Sequence, residues 1–210
     1  MLHTSTELVL AGSMVLLSVA VARADCAGEF GDINRIKSTA GPYEIATTLS
    51  ITYPSGTHQG SQTAQAVHAV QVVPPQSFRI RTRSAEVVVI GNGKGWASGG
   101  GPWVEVTKEK MADLLEDAPL SGYFAIKGQS DLQCQGVQNI DGMPYLTFVY
   151  TIAGAANARG PQTTRITAYF DPVTRLPIGG QSLTDVMGAR MHAEMVYRFD
   201  PSIKIDPPNP

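Results

Sequence analysis

The chain is short of the side chains that carry chemistry. His58, His68 and His192 lie outside the N-terminal segment, and none stands at metal-ligand spacing from another His or Cys. His192 and Glu194 lie two apart and would share a strand face, but Arg190 and Arg198 fall on the same side and mark it as solvated rather than catalytic. No Gly-x-Ser-x-Gly elbow occurs, and neither cysteine has a nucleophile's surroundings. Gly91-Asn92-Gly93-Lys94-Gly95 lacks the fixed gap and following helix of a phosphate loop. The expectation is a protein that is not an enzyme, with no catalytic residue, metal site or cofactor. A formal net charge of −2 gives no pull toward nucleic acid. Repeats and interdomain linkers are also missing, so 210 residues read as one domain with a sizeable core.

A long apolar run is missing too. Leu8 to Val21 is of signal-peptide length, too short to span a bilayer comfortably, and Ala22-Arg23-Ala24 is a small-x-small cleavage site. The segment before the run holds Glu7 and no Lys or Arg, which is off pattern for an export signal. Residues 1–24 are expected to be a cleaved signal peptide, leaving 25–210 as a single exported domain that does not span the membrane. Asp25 directly precedes Cys26 where a lipobox needs a small residue, so lipidation is not expected. Cys26 and Cys134 read either as a disulfide stapling the N-terminus to a mid-chain strand or as two free thiols.

What is present is alternation. Phe78-Arg79-Ile80-Arg81-Thr82-Arg83 is a strand with one buried face, and Glu86–Ile90 follows. Asn92-Gly93 is a strong hairpin signal leading to Lys94-Gly95-Trp96. Gly99-Gly100-Gly101 reads either as a flexible edge over a ligand mouth or as a plain loop. Strands are also expected at 43–53, 63–73, 123–126, 132–138, 145–152, 165–170, 178–183 and 190–199, the last extended by Ile203 and Ile205. Amphipathic helices are expected at 29–39, with Phe30, Ile33 and Ile36 on one face, and at 107–118, capped by Thr107 and ended by Pro119. This mix argues a mainly β (α+β) fold, a curled antiparallel sheet with about two helices packed on one face.

The apolar face carries Leu49, Ile51, Val70, Phe78, Ile80, Phe148, Tyr150, Phe170, Met191 and Met195, more large side chains than two small helices need to cover. Such a sheet either leaves a greasy concavity or fills its own core. Met adapts to varied shapes and suits the first. Arg79, Arg81 and Arg83 make a one-sided basic stripe that fits an anionic partner, such as a lipid headgroup, or a solvated strand face.

Gly93-Lys94-Gly95-Trp96, Trp103-Val104, Tyr169-Phe170-Asp171-Pro172 with Leu176-Pro177, and the ending Tyr197-Arg198-Phe199-Asp200-Pro201 follow one another in an order that resembles the periplasmic lipoprotein-carrier (LolA/LolB-like) superfamily. The resemblance covers nearly the whole chain after residue 24. It implies an incomplete β-barrel with helices covering the concave face, a periplasmic location, and binding of a lipid or of lipoprotein acyl chains. Trp96, Trp103 and the helix bearing Met111 and Leu115 are then the expected mouth or lid. The same scaffold also serves as an interaction or sensor module for an envelope protein, through a sheet edge or the arginine face.

Overall fold

The computed structural model describes residues 25–53, 61–91, 93–107, 109–111, 122–154, 162–186 and 189–209, with the side chains of 61–67 and 186 left aside. The chain begins with α1 (Cys26–Asn34) and a 3-10 turn (Ser38–Ala40). Six strands follow: β1 (Tyr43–Thr52), β2 (Ser61–Val73), β3 (Ser77–Thr82), β4 (Glu86–Ile90), β5 (Lys94–Ser98) and β6 (Val104–Glu105). Five more complete the sheet: β7 (Gln129–Ile140), β8 (Met143–Ala153), β9 (Thr163–Phe170), β10 (Pro177–Val186) and β11 (Ala189–Phe199).

All eleven strands belong to one antiparallel sheet in the order β6-β5-β4-β3-β2-β1-β11-β10-β9-β8-β7. It is a curled sheet that does not close into a barrel, with β6 and β7 at its ends. The first and last strands meet in its middle, where Tyr43 pairs with Phe199 and Ile51 with Met191. Directly paired residues in an antiparallel sheet share a face. Tyr43, Val72, Phe78 and Val89 form one such row, and Thr47, Met195, Gly180, Ala168 and Phe148 another. This inner face holds the core.

α1 starts earlier than its apolar spacing suggests. The Asp25 carboxylate accepts from Gly28 N at 3.0 Å and caps the helix there. Arg35 is already extended, so the helix stops at Asn34 rather than running to residue 39. Phe30 and Ile33 are buried against the inner face, worth about 2 kcal/mol each. The Phe30 ring lies 5.0 Å from Phe148 and 5.2 Å from Tyr150. Cys26 and Cys134 form a disulfide that ties α1 to β7 across 108 residues of chain. In the chain-entropy view, closing a loop of that size stabilises the fold by about 4 kcal/mol. Glu29 adds a half-exposed ion pair with Arg175, in the turn between β9 and β10, at 2.8 Å.

Two expected strands are absent. Residues 123–126 are irregular, with their backbone groups bonded to Asn34, Tyr150, Tyr197 and Gln129 and not to a neighbouring strand. Ile203 and Ile205 do not extend β11, since Asp200 turns the chain by accepting from Ser202 N at 2.8 Å. The helix expected at 107–118 is seen through Met111, with Lys110 N donating to Thr107 Oγ1 at 3.5 Å as the cap requires. Its remainder lies outside the described residues.

Candidate functional site

The inner face has two ends of different character. One end is plugged. Tyr123 and Phe124 lie on it, held by a set of bonds that uses their main chain fully. Tyr123 N donates to Asn34 O at 2.8 Å, and Phe124 N donates to Asn34 Oδ1 at 2.8 Å. Asn34 Nδ2 donates to Phe124 O at 2.9 Å, Tyr150 Oη donates to Ala125 O at 2.7 Å, and Tyr197 Oη donates to Tyr123 O. The Phe124 ring rests on Gly180, where a Cβ would come within 2.6 Å of it. Tyr43, Tyr123, Tyr197 and Phe199 stack edge-on and tilted around one another, with centroids 5.4 to 6.2 Å apart. Burial drives the Tyr43, Tyr150 and Tyr197 phenols well above their ordinary pKa.

Four expected ligand contacts lie fully buried in this core. Phe78, Phe148, Tyr150 and Phe170 have no exposed surface, and Phe30 of α1 packs on the last three while Phe124 packs on Phe170. A ligand meets them only if that cover moves. Sequence periodicity could place them on the inner face but could not show what lies above it. Asn34 is the residue that pattern reading missed: a polar side chain at a helix end reads as solvated, whereas here it is buried and fully bonded.

The other end of the face is less covered. Leu49, Ile51 and Met191 are half-buried there, while Val70 and Ile80 share a row with Ile45 and Tyr197 nearer the plug and, like Met195, are half-buried against the core. Pairing brings Ile51 opposite Met191, Thr47 opposite Met195, and Val70 opposite both Ile45 and Ile80. These six expected site residues therefore share one surface. Met111 is buried against Gly95, and a Cβ there would overlap Met111 Cε, so glycine lets the start of this helix sit down on β5. Leu115 lies outside the described residues.

Trp96 is placed differently from the expectation. It pairs with Val88, which pairs with Arg79, and all three are on the outer face, whereas Gly95 holds the inner position. The alternation of β5 turns the indole to the face opposite the one that carries Tyr43, Val72, Phe78 and Val89. Trp103 is half-buried just before β6. On the outer face Glu44 binds Gln71 Nε2 at 2.8 Å and lies 3.6 Å from Arg198. Arg79 and Arg81 both approach Glu86. Among the described residues no group of His, Cys, Asp and Glu is arranged to hold a metal ion. No described helix is long and apolar enough to cross a membrane.

No family model matches the chain and no curated protein matches it. Solved structures do. The lipoprotein LppX of Mycobacterium tuberculosis is 15% identical, with 87% of this chain and 100% of that one covered at a TM-score of 0.46. LprF of Mycobacterium bovis is 15% identical, with 86% and 97% covered at 0.43. A LolA superfamily protein of Nitrosomonas europaea is 8% identical, with 82% and 91% covered at 0.34. The functional reading rests on the chain's own geometry.

Proposed function

We propose that the protein is a non-catalytic, exported binding protein for a hydrophobic ligand, a lipid or the acyl chains of a lipoprotein, acting in the periplasm after loss of residues 1–24. The observation that carries this is the unequal cover of one apolar face. α1 and Tyr123–Phe124 seal one end, while Leu49, Ile51 and Met191 at the other keep part of their surface open to solvent. Two methionines among these residues, Met191 and Met195, adapt to chains of varied shape. Affinity comes from apolar area taken out of water, on the order of 25 cal/mol per Å² before ordering costs. Native mass spectrometry of protein purified from the envelope, with organic extraction, tests it. An added mass matching a phospholipid or acylated species supports the reading. An apo mass that stays unchanged when lipids and lipopeptides are offered overturns it.

A second reading rests on β7. This edge strand runs twelve residues with Asp131 as its single charge, and Val137 and Met143 on its hairpin are 58% and 56% exposed. An edge of that length with one charge suits pairing with a strand of an envelope protein. Loss of co-purifying protein after Val137→Lys supports it, and unchanged co-purification removes it.

A further inference from the structure

Several of the described arginines are matched with a carboxylate of their own. Arg175 faces Glu29, Arg190 faces Asp185 and Arg198 faces Glu44. The corner at the β3–β4 turn breaks that pattern. Arg79 Nε and Arg81 Nη2 lie 3.2 and 3.3 Å from the same oxygen, Glu86 Oε1. Arg79 Nε is buried close to that oxygen but off-line for a hydrogen bond, so its donor is unused. Arg83 follows in the turn itself, exposed and without a carboxylate partner among the described residues. Three guanidinium groups thus face one carboxylate, on a chain whose net charge is negative.

The corner also has a built shape. A cleft opens between the turn and the Gly99–Gly101 loop, lined by Arg81, Arg83, Ser84, Glu86, Ser98 and Gly100. Both walls are fixed. Thr82 Oγ1 donates to Ala85 O and accepts from Ala85 N, each at 3.0 Å, while Ser98 Oγ donates to Gly101 O at 2.7 Å. The arginines therefore stand on a frame that needs little ordering on binding.

We propose that this cleft binds a phosphate-type oxyanion, held by the Arg81 and Arg83 guanidinium groups with the Ser84 hydroxyl on its rim. Guanidinium forks match phosphate oxygens in pairs, and the two surplus positive charges supply the attraction. The oxyanion is either a lipid headgroup or a soluble phosphate, since the chemistry is the same. Arg81, Glu86 and Ser98 pair in one outer-face row, so the cleft lies on the side of the sheet away from Leu49 and Ile51.

The test measures binding of inorganic phosphate by calorimetry and co-sedimentation with two kinds of vesicle. One is phosphatidylcholine alone, the other phosphatidylcholine and phosphatidylglycerol in equal parts. Each is run on the protein, on Arg81→Gln/Arg83→Gln, and on Arg198→Gln, which removes an outer-face arginine on β11, outside the cleft. Binding that weakens roughly fivefold per arginine removed, falls with added salt and survives Arg198→Gln supports the site. Selective binding of phosphatidylglycerol vesicles identifies a headgroup as the source, and binding of free phosphate alone identifies a soluble one. No binding of either, or equal binding by the double variant, overturns the site. Extraction of bound lipid is scored separately, so phosphate binding by a protein that carries no lipid would fell the concavity reading and leave this one standing.

Discussion

Asn34 and Phe124 exchange two hydrogen bonds, the side-chain amide of one standing in for a neighbouring strand against the main chain of the other. This single pair joins the end of α1 to the segment that plugs the inner face. Both Asn34 and Phe124 are buried, so each unmade bond carries the full cost of a desolvated polar group.

Asn34→Ala is expected to leave Phe124 N and O unpaired and to destabilise the fold by about 2–4 kcal/mol. Urea unfolding followed by circular dichroism checks it. A loss below about 1 kcal/mol would mean that water replaces the amide and that the plug is looser than its geometry indicates.

Cys26→Ser with Cys134→Ser is expected to cost about 4 kcal/mol, chiefly through the unfolded chain. Reduction should lower the thermal midpoint of the parent by a similar amount and leave the double variant unmoved. Equal melting with and without reductant would show that the tie contributes nothing.

Two tyrosines with opposite bonding give opposite signs. Tyr43 Oη is buried and has no hydrogen-bond partner, so Tyr43→Phe should be neutral or stabilise by up to about 1 kcal/mol. Tyr150 Oη bonds Ala125 O, so Tyr150→Phe should destabilise by about 1 kcal/mol. Parallel chemical denaturation of both variants settles the order.

The same phenols set an alkaline limit. Tyr43, Tyr150 and Tyr197 hold their protons above the ordinary value of 10.0, chiefly because burial penalises the charged form. Above that value the unfolded chain loses these protons while the folded one keeps them. The folded state then binds more protons, and stability falls as pH rises. The contribution is complete below pH 10.0 and is lost as pH climbs toward the raised folded values. Urea midpoints measured on both sides of that pH should drop steeply in the parent and less so in Tyr150→Phe.

Gly95→Ala is expected to push Met111 off β5. The atom it meets first is the flexible end of Met111, so global stability should fall by only about 1 kcal/mol. Under the proposed function a bound acyl ligand should exchange faster, as read by transfer of a fluorescent fatty acid. Unchanged exchange would separate Met111 from ligand retention.

The sheet was legible because its strands obey a period of two. Tyr43 to Thr52, Glu86 to Ile90 and the Asp141-Gly142 turn, with φ of 52° and 83°, fall where alternation and turn chemistry put them. The inner-face rows through Leu49, Ile51, Val70, Ile80, Met191 and Met195 were legible for the same reason. Trp96 escaped because its strand is five residues long, and the glycine beside it gives no hint of which side is apolar. Residues 123–126 escaped because a short aromatic run looks like a strand. Only a partner ninety residues away, Asn34, shows where its main-chain bonds go. Periodicity records which way a side chain points and is silent about what comes to rest on it.

The pairing of β1 with β11 has a consequence for how the molecule can assemble. Strands β1 to β6 and strands β7 to β11 form two meanders that share this one seam in the sheet. The seam is written by β1 and β11, the first and last of the described strands, so the two meanders cannot join until β11 has been made. Joining such distant segments is slow, because loop-closure entropy is lost before their contacts form. A chain built this way stays open along that seam until β11 arrives, and a stop between β10 and Ala189 leaves two unjoined halves.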